Sequence, residues 1–211
     1  KKEVMIRYYI NGKDIEQYGV YVVGQSGMLS PLRAKERESV SLSNAHGRIY
    51  DTTKTYYEER VIELELAFLH DGLSGMEVLQ ALRAAFSGIT RIERREGWSS
   101  LFFDVLWDSY ANESFWDWNA GTINIVLKEP NPVKHVYKVV GNYSFTTADK
   151  SEGTQDLLLI SRGDGTYVEV RAGTHTHTYT DGYTSHIVLI SGNIENVTIS
   201  TSHILLYTIL Q

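Results

Sequence analysis

The sequence contains no cysteine, and this absence removes several classes of protein at once. A chain without thiols has no disulfide framework, no cysteine nucleophile and no cysteine-ligated metal. No apolar run approaches the ~20 residues that a membrane helix needs. With 26 acidic and 20 basic residues the net charge is −6, so the chain lacks the basic surface of a general nucleic-acid binder. We therefore expect no membrane and no specific nucleic-acid partner.

Composition divides the chain into two parts near residue 133. A length of 211 residues is compatible with one or two domains. Residues 1–133 carry 34 charged side chains and all three prolines, whereas residues 134–211 carry only 12 charged side chains. The change coincides with Glu129-Pro130-Asn131-Pro132, where proline favours an extended link that proteases reach. We predict one domain over residues 1–133 and a small all-β domain over residues 134–211.

Alternation of apolar and polar residues predicts that both parts are mainly β. The clearest strand of the first part has alternate apolar residues from Ile62 to Phe68. An earlier strand ends in Asn11-Gly12, the strongest short hairpin signal. Residues 109–121 lack alternation, and we predict that they form an irregular segment between two strands.

One amphipathic helix is predicted over residues 75–87. Ser74 and Glu77 have the spacing of a capping box. Gly88 is predicted to end the helix in a left-handed conformation. The apolar stripe that follows at helical spacing consists of Leu79, Leu82 and Phe86.

The second part has the pattern of strands separated by turns. Gly163-Asp164-Gly165 is interpreted as a hairpin turn. The predicted strands cover residues 133–140, 156–161, 166–171, 174–180, 186–190, 194–200 and 203–210.

His175 and His177 are the first candidates for a metal site, because residues i and i+2 of a strand share a face. A third ligand, such as His186 or Asp181, would be required. The simpler interpretation is that His175 and His177 lie on the solvent-facing side of a strand with the threonines around them, and we predict no metal site.

No other pattern indicates catalysis. The chain lacks a nucleophile elbow, a phosphate-binding loop and a dinucleotide fingerprint. Among its carboxylate pairs, Glu63 and Glu65 alternate with leucines, as on the solvated face of a strand. We therefore predict no catalytic residues, no cofactor-binding residues, no cofactor and no enzymatic activity.

Aromatic residues are dense between residues 98 and 118. Aromatic rings can stack on sugars, but they also fill cores and subunit interfaces. We favour core or interface, because several of these residues flank strand-like runs. They are Trp98, Trp107, Tyr110, Phe115, Trp116 and Trp118.

The order of features in residues 4–133 resembles the N-terminal domain of phage distal tail proteins, the siphophage tail-component family. After the strand that ends in Asn11-Gly12, the features are Tyr18-Gly19-Val20, Ser30-Pro31, Val40-x-Leu42, Tyr57-x-x-Arg60, the helix and an exit at Glu129-Pro130. The resemblance implies a β-sandwich-like domain with one helix. Residues 134–211 are similar, less specifically, to the C-terminal β-modules of the family.

The resemblance further implies a structural role in a virion. Members form a hexameric ring at the tail tip that joins the tail tube to tip or baseplate proteins. The implied partners are other copies of the chain, these tail proteins and a host-surface glycan, and the chain would reside in the host cytoplasm during assembly. We expect strand edges of the first domain and residues 91–127 to form the self-association surface.

Two other functions stay open. The runner-up is a carbohydrate-binding β-module without an assembly role, which a glycan-binding monomer would favour. The third is a metal-dependent enzyme that uses His175 and His177, which stoichiometric metal in the purified protein would favour.

Overall fold

A computed structural model describes residues 6–41, 43–44, 46–50, 55–69, 72–96, 99–147, 158–171, 173–192, 197–200 and 202–209. Within these ranges the chain is mainly β, with antiparallel sheets and a single α-helix. The predicted fold class, mainly β with one helix, is confirmed.

In the first part, the residues that the structure describes form nine strands, a 3-10 helix and an α-helix. The strands are β1 (Ile6–Ile10), β2 (Lys13–Asp14), β3 (Val20–Ser26), β4 (Ser39–Val40), β5 (Ile49–Tyr50), β6 (Arg60–Leu69), β7 (Thr90–Glu96), β8 (Ser99–Asp117) and β9 (Ala120–Glu129). The 3-10 helix covers Ile15–Tyr18, and the α-helix, α1, covers Gly75–Ala85.

Seven of these strands form one sheet in the order β2-β1-β7-β8-β9-β6-β3. The sheet divides into two layers at β8, because residues 99–105 pair with β7 and residues 106–117 pair with β9. We call β2, β1, β7 and residues 99–105 the first layer, and residues 106–117, β9, β6 and β3 the second layer. Ile10 and Phe103 of the first layer share a core with Leu64 and Ile125 of the second. This arrangement is sandwich-like.

Strand β6 shows why the alternating sequence folds this way. Ile62, Leu64, Leu66 and Phe68 are each at most 1% exposed. The glutamates between them face outwards. Burial of each such apolar side chain contributes about 1.5–3 kcal/mol, so a register shift by one residue would be costly.

The turn at Asn11 and Gly12 is confirmed as a tight hairpin. Both residues have positive φ, of 48° and 79°, and the turn joins Ile10 to Lys13. These are the backbone conformations that a type I′ turn requires and that the Asn-Gly pair tolerates.

The start of α1 is as predicted, but its end is not. Ser74 accepts a hydrogen bond from the backbone N–H of Glu77, whose carboxylate accepts one from the N–H of Ser74. The helix ends at Ala85, and Gly88 is not among the residues with positive φ. Thr90 Oγ1 instead donates to the carbonyls of Ala85 and Gly88, at 3.2 and 3.0 Å. The hydroxyl of Thr90, and not a glycine in the left-handed conformation, therefore caps this end of the helix.

The prediction of an irregular segment over residues 109–121 is wrong. Strand β8 continues to Asp117, and a turn at Trp118 and Asn119 leads into β9. The pairing of β8 with β9 shifts register between Trp107 and Ser109 and at two later points. Each β-bulge inserts an extra residue, so the side chains lose the strict alternation by which a strand is recognised in a sequence.

The described residues of the second part form eight strands in two sheets. They are β10 (Lys134–Val140), β11 (Tyr143–Thr147), β12 (Leu158–Ser161), β13 (Tyr167–Val170), β14 (Gly173–His177), β15 (Ser185–Gly192), β16 (Val197–Ile199) and β17 (His203–Ile209). The sheet orders are β13-β12-β15-β10-β17 and β14-β11-β16. Seven of the strands correspond to predicted ones with shifted ends, and residues 156–157, 194–196 and 210 of those predictions lie outside the described residues. Strand β11 was not predicted.

Candidate self-association surface

The second layer has an unpaired strand edge on each side. Strand β3 pairs with β6 through one edge, and residues 106–117 pair with β9 through one edge. No other strand in the described part of the chain occupies the opposite edge of either. An unpaired edge presents backbone N–H and C=O groups that another chain can bind.

Strand β3 lacks the residues that usually protect an edge. Its sequence, VYVVGQS, contains no charge and no proline. The side chains of Tyr21 and Val23 are 49% and 58% exposed. Its one protective feature is a bulge between Val22 and Gly24. An apolar, uncharged edge of this kind is a preferred site for strand pairing between molecules.

The first layer, by contrast, has little free edge. On one side β2 has only two residues. On the other side the backbone N–H of Phe102 donates to Tyr207 Oη of β17, at 2.7 Å. The ring of Phe102 packs with Val136 and Leu189 of the second part. The edges left open for a partner are therefore those of the second layer.

The β8–β9 hairpin ends in exposed aromatic residues. Trp116 and Trp118 are 70% and 60% exposed. The hairpin end is fixed to the core, because Phe115 packs edge-on against Phe68 with ring centroids 5.7 Å apart. The N–H of Gly75 also donates to the carbonyl of Trp118, at 2.9 Å. We call Phe115, Trp116 and Trp118 the aromatic hairpin end.

The other aromatic candidates have different positions. Trp107 is half-buried and packs edge-on against Phe86, with ring centroids 5.5 Å apart. Trp98 lies outside the described residues, as does the side chain of Tyr110. The aromatic run thus supplies the core through Trp107 and an exposed surface through its last residues.

The carboxylates considered for catalysis are engaged in structural ion pairs or exposed. Lys128 Nζ lies 3.0 Å from Glu59 and 3.1 Å from Asp108, and these hydrogen bonds raise the pKa of Lys128. Asp104 is buried and accepts a hydrogen bond from Arg91 at 3.2 Å. Glu63 and Glu65 lie on the exposed face of β6, as predicted.

The prediction that His175 and His177 face solvent is wrong. They lie opposite Phe145 and Tyr143 in the register of β11 and β14, so they share the inner face of that sheet. The side chain of His177 is only 16% exposed. The outer face is taken by the threonines between them, because adjacent residues of a strand point to opposite faces.

Each of the three histidines considered as metal ligands has its own carboxylate or carbonyl partner. His177 Nε2 lies 2.7 Å from Asp164 Oδ2, and His186 Nε2 lies 2.8 Å from Asp181 Oδ2. His175 Nε2 lies 2.7 Å from the carbonyl of Arg171. Over the described ranges, no three His, Asp or Glu side chains are grouped so that they could hold a metal ion.

Asp164 also organises the turn between β12 and β13. Burial alone would raise the pKa of Asp164, but hydrogen bonds from Thr166 and His177 outweigh burial and lower the pKa to about 2. The turn itself is the predicted hairpin, with positive φ at Gly163 and Gly165.

Buried charged groups connect the two parts, and sequence analysis did not identify them. Lys134 and Arg60 both contact Glu129, and all three are buried. Arg91 donates to Asp104, to the carbonyl of Ile187 at 3.0 Å and to Ser161 Oγ. The local sequence does not indicate these contacts, because each joins residues of different strands.

No helix in the described part of the chain is long and apolar enough to cross a membrane. No family model and no curated protein matches the sequence.

The solved structures that are similar to this chain include the following three. The crystal structure of the SPP1 Dit (gp 19.1) protein, a paradigm of the hub adsorption apparatus in phages that infect Gram-positive bacteria, aligns with 95% of this chain and 100% of its own, at 10% identity and a TM-score of 0.41. Structures of the phage p2 baseplate in its activated conformation, with Sr and with Ca, each contain a chain aligned over 97% of its length with 92% of this one. Both have 8% identity, and their TM-scores are 0.44 and 0.45.

Proposed function

We propose that this chain is a structural component of a phage or prophage tail tip or baseplate, and that copies of it form a ring between the tail tube and the tip proteins. The observation that carries the proposal is the pair of unpaired edges on opposite sides of the second layer. Two different edges on one subunit allow a head-to-tail contact, and repeated head-to-tail contacts close into a ring.

Strand directions in the second layer suit this contact. Neighbouring strands alternate in direction, so β3 runs opposite to residues 106–117. Rotation about an axis parallel to the strands leaves each direction unchanged. In a ring of this kind, β3 of one subunit meets residues 106–117 of the next in antiparallel orientation, the arrangement with direct cross-strand hydrogen bonds.

The two edges also lie at the same height in the layer. Val22 pairs with Leu66, Leu66 with Ile123, and Ile123 with Glu113. A ring without stagger therefore places the middle of β3 beside Asn112 and Glu113 of its neighbour.

The aromatic hairpin end enlarges the contact beyond backbone pairing. Trp residues are enriched in interfaces, and contiguous exposed apolar patches mark sites of protein–protein contact. An interface of standard size buries ~1,600 Å² in total. We propose six copies in the ring, tail-tube and tip proteins on its two faces, a non-enzymatic role, residence in the virion and assembly in the host cytoplasm. These details follow the resemblance in the order of sequence features.

A charge on the β3 edge tests the proposal. Val23→Lys places an ammonium group on the edge without disturbing the core, since Val23 is 58% exposed. Val140→Lys is the matched control, because Val140 is 52% exposed but belongs to β10, which is paired on both sides. We expect rings of the unmodified chain and of Val140→Lys in electron micrographs at high concentration, and monomers of Val23→Lys in light scattering. A strictly monomeric unmodified chain, or rings of Val23→Lys, would refute the proposal.

The runner-up function, a carbohydrate-binding β-module without an assembly role, predicts a monomer, so the same micrographs separate it from this proposal. A host-surface glycan is proposed as a further partner of the ring.

A further inference from the structure

A cleft of about 290 Å³ is lined by residues of both the first and the second part of the chain. We propose that this cleft binds a small neutral carbohydrate. This inference assigns a binding site to the host-surface glycan of the proposed function, and it rests on the proposed function only for the identification of that glycan as the source of the sugar. The lining residues that carry the argument are Asn11, Glu93, Phe102, Tyr167, Tyr183 and His186.

Three aromatic side chains that differ in exposure line the cleft. Tyr183 is 75% exposed, Tyr167 is half-buried and Phe102 is buried. The backbone N–H of Tyr183 donates to Asp181 Oδ1 at 3.1 Å, and its ring lies edge-on to His186 with centroids 6.4 Å apart. An exposed but positioned tyrosine provides an apolar face for the C–H groups of a sugar ring and a hydroxyl for its polar groups.

The charged groups at the cleft already have partners. Arg91 donates to Asp104, to the carbonyl of Ile187 and to Ser161 Oγ. Glu93 accepts two hydrogen bonds from Arg95, at 2.9 and 3.1 Å, and one from Ser100 at 2.7 Å. An anionic ligand would need a free cation, and a metal ion would need a free carboxylate. The chemistry of the cleft therefore favours an uncharged, polar ligand.

One lining residue of the cleft, His186, has a buried polar atom without a partner among the described residues. His186 is 4% exposed, and its Nδ1 makes no hydrogen bond with the described residues. Its Nε2 is engaged by Asp181 at 2.8 Å, which leaves Nδ1 as an acceptor when Nε2 carries the proton. Buried polar atoms are rarely left unsatisfied, and a ligand hydroxyl is a suitable donor.

The size and setting of the cleft agree with a small ligand. Its volume of about 290 Å³ is just below the ~300–1,000 Å³ typical of small-molecule sites, which often lie between domains. The contacts of Arg91 with Ser161 and Ile187 hold the two walls together, so the cleft is formed before a ligand arrives.

Saturation-transfer NMR and calorimetry on the full chain test the inference. The probes are the methyl glycosides of glucose, galactose, mannose and N-acetylglucosamine, with inorganic phosphate and Ca²⁺ as charged comparisons. We expect saturable binding of at least one glycoside and no binding of phosphate or Ca²⁺ at the cleft. Tyr183→Ala should weaken glycoside binding roughly tenfold or more, which corresponds to about 1.4 kcal/mol. Tyr183→Trp should retain binding.

The control variant is Tyr56→Ala, because Tyr56 is 51% exposed and is not one of the residues that line the cleft. It should bind as the unmodified chain does. Failure of all four glycosides to bind, or equal binding by Tyr183→Ala, would overturn the inference. Val23→Lys is expected to bind the sugar whether or not it forms rings, so failure of the sugar site and failure of ring formation are distinguishable.

Discussion

Lys134 forms a buried ion pair with Glu129 across the four residues that link the two parts of the chain. Both side chains are 1% exposed. Arg60 contacts the other oxygen of the same carboxylate at 3.1 Å. Burial raises the pKa of Glu129 and lowers that of Lys134, and the ion pair opposes both shifts. The residues that flank the link, Glu129 and Lys134, are therefore held together by a buried ion pair that also includes Arg60.

Loss of Lys134 should destabilise the protein strongly. Lys134→Met removes one partner of Glu129 and leaves a buried carboxylate with Arg60 alone. Removing one member of a buried pair costs about 3–5 kcal/mol of the free energy of unfolding. Lys138→Met on the same strand is the control, because Lys138 is exposed, and its effect should stay within about 0.5 kcal/mol. Urea denaturation measures both, and a loss below about 1 kcal/mol for Lys134→Met would contradict the structural role given to this pair.

Proteases should not cut first within residues 129–136. Composition alone predicts an accessible link there, but Glu129, Pro132 and Lys134 are buried. Cleavage requires an exposed, locally open backbone. Limited proteolysis with mass spectrometry should find early cuts elsewhere in the unmodified chain and a new cut in this segment in Lys134→Met. Early cleavage in the unmodified link would instead favour two independent domains, a division that stays a prediction.

Asp164 should make the second part sensitive to acid. Its pKa in the folded chain is lowered to about 2 from an ordinary 3.8. A lowered pKa contributes stability that is complete above the ordinary value and is lost as pH falls towards the folded value. We therefore expect the melting temperature to fall between about pH 5 and pH 2.

Asp164→Asn should flatten this pH dependence, because asparagine keeps an acceptor for Thr166 but cannot ionise. Glu169→Gln changes an exposed carboxylate of the same part and should retain the pH dependence of the unmodified chain. Identical acid profiles for Asp164→Asn and the unmodified chain would show that other groups control acid stability.

Local sequence signals predicted the elements that depend on local rules. The apolar alternation of β6, the Asn11-Gly12 turn and the capping box at Ser74 were all visible, because each is determined by residues within a few positions. The predicted end of α1 is two residues too late, because the carbonyl of Ala85 accepts a hydrogen bond from Thr90 and Gly88 has no positive φ.

The remaining features depend on contacts that a sequence does not display. The β-bulges in the second half of β8 remove the alternation by which a strand is recognised. The prediction for the histidines of β14 chose the wrong face, because His and Thr are both polar and their alternation does not indicate which face is buried. Strand β11 is short, although its buried Tyr143 and Phe145 were an available signal. Which strands of the second layer have an unpaired edge depends on the order of strands in the sheet, and no single segment of the sequence determines that order.

Cysteine cross-linking measures the predicted ring contact most directly, because the natural chain has no cysteine. Val23→Cys lies on the β3 edge and Asn112→Cys on the opposite edge, and both positions are exposed. Disulfides form when the Cα atoms lie about 4.4–6.8 Å apart, as across paired strands. Under mild oxidation at high concentration, the double variant should give a ladder of covalent oligomers that ends at the closed ring, and each single variant should stay uncross-linked. Dimers from either single variant, or no cross-links from a double variant that forms rings in micrographs, would contradict head-to-tail pairing of these two edges.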